Sequence, residues 1–212
     1  MPPPPCARSP AAMTDFAQHP GDPFEIFTAA FARATEHEPF EANAMTLATV
    51  GPDGAPSARI VLLKGVDARG FVFFTNYQSR KGRELIARPR AALVLHWKQA
   101  QEQVRIEGSV EQVTDEESDA YFRTRPRDSQ IGAWASMQSE PLDSRASLEA
   151  RFAEVAARYE GRDVPRPPHW GGFRVVPTLI ELWYGRANRL HERHLYERPS
   201  PSGPFTYRMA FP

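Results

Sequence analysis

The sequence predicts a mainly β protein, one antiparallel barrel with helical additions. Three observations predict it. From Ala44 onward, short runs rich in Val, Ile, Thr and Phe replace a helical pattern. The first two turns, Gly51-Pro-Asp-Gly54 and Asp67-Ala-Arg-Gly70, are short enough to make antiparallel pairs, because parallel strands need a long crossover. Helix signals after that point come late, between Thr114 and Tyr159, with one short exception at Ser79–Arg88.

Asp22-Pro23 opens the first helix as N-cap and first-turn proline. Phe24, Phe27, Phe31 and Ala34 follow at three- and four-residue steps, a core-facing stripe. Strands are expected at Ala44–Val50, Ser57–Lys64 and Phe71–Thr75. Pro89 stops the Ser79–Arg88 helix. Ala91–Trp97 and Gln103–Val113 form a further strand pair, and Gly108 marks a bulge in the second. Thr114-Asp-Glu-Glu117 is a capping box for a helix running towards Arg125, with a Gly-containing turn after it. Ser144–Tyr159 is another helix, with Leu148, Phe152, Val155 and Tyr159 on one face. After a Pro-rich loop at Val164–Pro168, strands are expected at Gly172–Pro177, Leu179–Tyr184, Leu190–Arg198 and Thr206–Met209. Residues 22–212 read as a single domain, and residues 1–21 as a disordered Pro-rich arm in which Met13 is an alternative start.

Composition excludes several classes. Twenty-six basic and 26 acidic residues leave no net charge, so no global field favours nucleic acid or an anionic membrane. No apolar run approaches the roughly 20 residues that span a bilayer. The one cysteine, Cys6, excludes an intrachain disulfide and argues against a cysteine-based site. The cytoplasm is the expected address. Anion binding must come from local clusters.

Three clusters qualify. In Tyr121–Trp134, Arg123, Arg125 and Arg127 accompany Tyr121, Ser129 and Gln130, a set of guanidinium forks, phenol, hydroxyl and amide that suits a phosphate. A solvated helix end is the plainer alternative. Arg59-Ile-Val-Leu-Leu-Lys64 is an apolar strand bracketed by cations, either a buried strand with snorkelling ends or the wall of a ring and anion pocket. Phe74-Thr-Asn76 and Ser79-Arg-Lys81 follow, and the latter begins a helix whose free N–H groups add to an anion site. Arg189-Leu-His191-Glu-Arg193, read as a strand, puts Arg189, His191 and Arg193 on one face, where an imidazole between guanidiniums suits proton handling. A charged edge strand is the alternative there. Trp183 is either core or the wall of an aromatic cofactor, and Gln138-Ser139 sits in a polar loop. No metal site is expected, because His191 and His194 lack a partner motif.

Taken in order, these residues resemble the pyridoxine (pyridoxamine) 5′-phosphate oxidase family. The resemblance rests on Arg59–Lys64, Phe74–Asn76, Ser79–Lys81, Gln103, Tyr121–Trp134, Gln138-Ser139, Trp170-Gly-Gly-Phe-Arg174, Ile180–Trp183 and Arg189–Arg193. It implies an FMN-binding split β-barrel, antiparallel and Greek-key-like, working as a homodimer with flavin between subunits. It further implies that Arg59, Ile60, Val61, Leu62, Leu63 and Lys64 line the flavin, with Phe74 and Thr75 beside the ring. By the same resemblance Arg80 and Lys81 grip the FMN phosphate and Gln103 meets the isoalloxazine, while Gln138, Ser139, Trp183 and Arg193 come from the other subunit. The substrate, pyridoxamine or pyridoxine 5′-phosphate, would have its phosphate on Lys64, Tyr121, Arg125 and Ser129 and its ring against Arg189, Leu190 and His191. Arg189 and His191 would be catalytic, and O2 the acceptor, yielding pyridoxal 5′-phosphate and hydrogen peroxide. Two departures stand out. The Pro-rich arm has no equivalent of the family's closing segment, and Tyr207–Pro212 only approximates its usual ending. A relative oxidising another ring, such as a phenazine precursor, is the rival enzyme reading. A single-strand nucleic-acid module fits the charge poorly.

Overall fold

The computed structural model describes residues 21–38 and 40–212. Nearly all of the arm expected to be disordered, with Cys6 and Met13, lies outside the described residues. The first helix, α1 (Pro23–His37), begins where Asp22 accepts a hydrogen bond from the Phe24 N–H at 2.9 Å. Phe24, Phe27, Ala30 and Ala34 are buried on its inner face, and the Phe27 ring meets Phe71 edge-on at 4.9 Å. Burying an aromatic ring of this size contributes on the order of 2–3 kcal/mol.

Strands β1 (Ala44–Val50) and β2 (Pro56–Leu62) pair from Ala44↔Leu62 to Val50↔Pro56 around the Gly51–Gly54 turn. The expected Ser57–Lys64 strand stops early, and a separate strand β3 (Gly65–Asp67) pairs with β4 (Gly70–Asn76). The chain changes partners there: the Leu63 N–H donates to Asn43 and the Lys64 N–H to Val72. The Asp67–Gly70 turn therefore joins β3, not β2, to β4. Helix α2 (Arg80–Ala87), capped by Ser79, leads to β5 (Arg90–Trp97) and β6 (Glu102–Gln112).

The capping box at Thr114 and Glu117 starts α3 (Asp115–Thr124). The turn expected next is instead a helix, α4 (Arg127–Ala135), and Gly132 lies inside it. Pro126 before the helix and Asp128 in its first turn fit a helix start. The Gln130 amide also ties α4 to α3, donating to the Phe122 carbonyl at 2.9 Å. Helix α5 (Arg145–Arg158) follows from its Ser144 cap.

The two strands expected between Gly172 and Tyr184 are one, β7 (Trp170–Tyr184). Proline 177 does not break it, because the register against β6 slips at Glu107/Gly108, opposite that residue. Strands β8 (Glu192–Glu197) and β9 (Thr206–Ala210) complete the sheet. The first of these is shorter than the expected Leu190–Arg198. Ala187–Arg189 forms a 3-10 turn, and Asn188 and Arg189 have left-handed φ values of 58° and 61°.

Nine antiparallel strands run β2-β1-β5-β6-β7-β4-β3, with β8 on β7 and β9 on β8. No strand pairing among the described residues joins the two ends of that path, so the barrel is split. Its core holds Met45, Leu47, Phe71, Phe73, Leu93, Leu95, Ile106, Phe173 and Val175. A smaller cluster, Phe122, Ile131, Ala135, Val155, Val164 and Trp170, packs the three late helices on the start of β7. No helix among the described residues is long and apolar enough to cross a membrane.

Candidate functional site

Between the end of β2, the end of β4 and helices α2 to α4 lies a cleft of about 630 Å³. Ile60, Val61, Leu62 and Lys64 form one wall, and Phe74, Thr75 and Lys81 another. Tyr121, Arg125, Ser129 and Gln138 close the far side. Cations stand at three places in it: Lys81 on α2, Arg125 at the end of α3, and Lys64 between β2 and β3.

The α2 end is a tight polar cluster. The Lys81 ammonium donates to Thr75 Oγ1 at 3.1 Å, Ser79 Oγ at 3.2 Å and Gln138 Oε1 at 3.0 Å. Burial, with the Arg59 charge adding and Glu84 opposing, brings Lys81 down to about 8. Arg59 does not line the cleft. Its guanidinium is taken up by Thr49, Ser57 and Glu84. Arg80 is mostly exposed and donates to Glu84 Oε1 at 2.9 Å. Burial would raise Glu84, but hydrogen bonds from Thr49, Ser57 and Arg80 and the Arg59 charge outweigh it and bring it down to about 2. The Ser139 hydroxyl, on a backbone with φ of 77°, accepts from the Arg80 N–H at 3.1 Å. Gln138 and Ser139 thus reach this end from the same chain, which corrects their expected origin in a second subunit.

At the α3 end, Tyr121 stacks on Phe74 with ring centroids 4.1 Å apart, and Phe74 stacks on Trp170 at 5.4 Å. The Arg125 guanidinium lies over Trp170 at 4.7 Å and over Phe122 at 5.7 Å. Its buried NH1 has no hydrogen-bond partner among the described residues, and burial pushes its pKa below the usual value. A guanidinium desolvated in this way calls for an acceptor. Arg123 and Arg127 do not line the cleft. Arg127 caps the end of α5 by donating to the Tyr159 and Arg162 carbonyls.

The third cluster stands apart from the cleft within one chain. Trp183 and His191 have ring centroids 4.6 Å apart and share a smaller pocket with His96, Lys98, Gln101 and Arg186. His191 Nδ1 accepts from the Arg186 N–H at 3.1 Å, which leaves the neutral ring's proton on Nε2. Gln103 is the register partner of Trp183. Arg193 is turned to Glu181, donating from Nε at 2.7 Å and NH2 at 3.1 Å. The expected shared face of Arg189, His191 and Arg193 does not form, since Arg189 and the exposed Leu190 precede β8. Leu63, expected beside the flavin, is buried in the core instead. Trp170, most simply a core residue from the sequence, is buried and also lies beneath Arg125, whereas Glu84, beneath Arg59 and Arg80, went unassigned. Only the four-residue step from Arg80 to Glu84 signalled the latter.

Comparison with known proteins gives consistent matches. Residues 32–159 match the family model described as pyridoxamine 5′-phosphate oxidase. Residues 170–212 match that of the pyridoxine 5′-phosphate oxidase C-terminal dimerisation region. A pyridoxine/pyridoxamine 5′-phosphate oxidase of Myxococcus xanthus is 57% identical over 193 residues, 91% of this chain and 93% of the relative. One from Thermosynechococcus vestitus is 64% identical over 177 residues, 84% and 83% of the two chains. Among solved structures, PhzG from Burkholderia lata, in complex with tetrahydrophenazine-1-carboxylic acid, has a TM-score of 0.88 at 31% identity, covering 95% of this chain and 98% of that one. A pyridoxamine 5′-phosphate oxidase-related, FMN-binding protein from Nostoc punctiforme shares the fold, with a TM-score of 0.73 at 16% identity over 92% and 100% of the chains.

Proposed function

The chain belongs to the pyridoxamine 5′-phosphate oxidase family, and from that premise we propose that it oxidises pyridoxamine and pyridoxine 5′-phosphates to pyridoxal 5′-phosphate, with FMN as cofactor and O2 as acceptor. The observation that carries this reading is one cleft with two anion ends, Lys81 at one and, at the other, Arg125, whose buried NH1 has no hydrogen-bond partner among the described residues. Cofactor and substrate are each a flat ring bearing one phosphate, and the cleft suits that pair.

The donor set fits a flavin phosphate. Lys81 and Arg80 would hold it, with Arg59 lending charge from behind. Ile60, Val61 and Leu62 would line the ring. Bound flavin supplies a two-electron acceptor that oxygen regenerates. Lys64, Tyr121, Arg125 and Ser129 would orient the substrate by its phosphate, which makes the oxidation effectively intramolecular. Gln103, Trp183, Arg189, His191 and Arg193 of the partner subunit would complete the site in a homodimer. The dimerisation-region match supports that arrangement, as does the separation of this cluster from the cleft within one chain. In this reading His191 holds or moves a proton at Nε2, and residues 22–212 act as one catalytic domain.

Adding FMN to the purified protein should give a yellow complex that releases hydrogen peroxide with either phosphorylated substrate. Unphosphorylated pyridoxine should be turned over about 100-fold less efficiently, given what charge-assisted phosphate contacts contribute. A colourless, inactive mixture would sink the reading. The phenazine-bound neighbour motivates a second reading, a ring acid whose carboxylate meets Arg125. Faster turnover of such an acid than of the phosphates would favour it.

Lys81 also predicts a pH dependence. Its lowered pKa means that the charged form costs stability below about 8, and that this cost is relieved as pH rises towards 10.5. A bound phosphate favours the charged form. Affinity for FMN should therefore be flat below about pH 8 and fall above it, by up to about tenfold per pH unit. Titrations of FMN between pH 7 and 9.5 check this, and an unchanging affinity would assign the phosphate elsewhere.

A further inference from the structure

We infer that Glu84 is a positioning residue for the α2 end of the cleft: without touching the ligand, it fixes Arg59 and Arg80, which come from different elements, into one charged cluster with Lys81. This rests on the cofactor reading above.

Glu84 is 5% exposed. Its Oε2 accepts from Thr49 Oγ1 at 2.5 Å, Ser57 Oγ at 2.7 Å and Arg59 NH2 at 3.2 Å, which ties it to β1 and β2. Its Oε1 faces the other way and accepts from Arg80 Nε at 2.9 Å, on its own helix. One carboxylate thus bridges the sheet and the helix that bear the cations. Removing that carboxylate alone would take the charged acceptor away from both Arg59 and Arg80. Three cations with one carboxylate leave a net charge of +2, the complement of a phosphate at roughly −2. Without the carboxylate, the repulsion between Arg59 and Lys81 is no longer offset, and neither guanidinium retains a charged partner among the described residues.

Simple charge counting and positioning predict opposite signs for Glu84→Gln. Losing a negative charge should tighten binding of an anion, whereas losing the anchor should weaken it. FMN and riboflavin, which lacks the phosphate, are each titrated into flavin-free full-length protein, and quenching of flavin fluorescence is followed. The expected result for Glu84→Gln is a Kd for FMN raised about tenfold or more, with riboflavin unchanged. Glu84→Asp keeps the charge but is one methylene too short to reach both guanidiniums, so it should shift FMN in the same direction. It serves as the test if the amide variant does not fold. Unchanged or tighter FMN binding would overturn the inference, as would parallel losses of FMN and riboflavin. Wild-type protein that takes up riboflavin but shows no preference for FMN would instead overturn the phosphate placement, and this inference with it.

Discussion

Arg125→Met should lower kcat/KM for pyridoxine 5′-phosphate about 10²- to 10³-fold and, in the same protein, raise the melting temperature of the ligand-free form. The two effects share one cause. The Arg125 guanidinium is desolvated against Trp170 and Phe122, and its NH1 has no partner among the described residues. A bidentate phosphate contact would relieve that deficit, and hydrogen bonds to charged groups contribute about 1.5–3 kcal/mol each. Until the substrate arrives, the half-buried cation is a liability, and desolvation already lowers its pKa. Methionine keeps the volume and the aromatic contact without the charge, so a gain of up to about 1 kcal/mol is expected after the lost cation–π contact is discounted. Steady-state kinetics and thermal melts measure both arms. An unchanged kcat/KM would remove the substrate phosphate from Arg125.

Gly108→Ala should destabilise the fold by about 3 kcal/mol, or roughly 6–12 °C in Tm for a chain of this size. An added Cβ would lie 2.1 Å from the Val176 carbonyl oxygen and 2.9 Å from the Pro177 Cα. These are backbone atoms and cannot swing aside. The glycine stands opposite Pro177 at the register slip that lets β7 run unbroken from Trp170, under Arg125, to Trp183, beside His191. The cost therefore extends beyond a local clash, because one strand carries residues of both the cleft and the third cluster. Denaturant melts would detect it. A change below about 0.5 kcal/mol, the size of an ordinary surface effect, would mean that the slip can move along the strand.

Local chemistry was legible where neighbours in sequence decide the outcome. The Asp22 cap, the helix start at Ser79, the Thr114 capping box, the Gly51–Gly54 turn and the Gly108 bulge all lie where residue type requires them. The late helices defeated that logic once. Gly132 reads as a turn, yet α4 forms around it, packed on α5 and tied to α3 through Gln130. Pro177 reads as a strand end, yet β7 continues because the irregularity is absorbed in the facing strand. Arg189 reads as a strand residue by alternation, but two successive left-handed residues turn the chain before β8 begins.

The sequence by itself determined the family, the antiparallel class and the identity of the charged residues, because caps, turns and side-chain period act over a few residues. Tertiary structure decided which charges meet. It set Arg59 against Glu84 instead of the cleft, brought Gln138 to Lys81 within one chain, and left Arg125 facing the cleft with no hydrogen-bond partner for its NH1 among the described residues. Those outcomes depend on contacts between residues from 25 to 57 positions apart, and no local pattern carries that information.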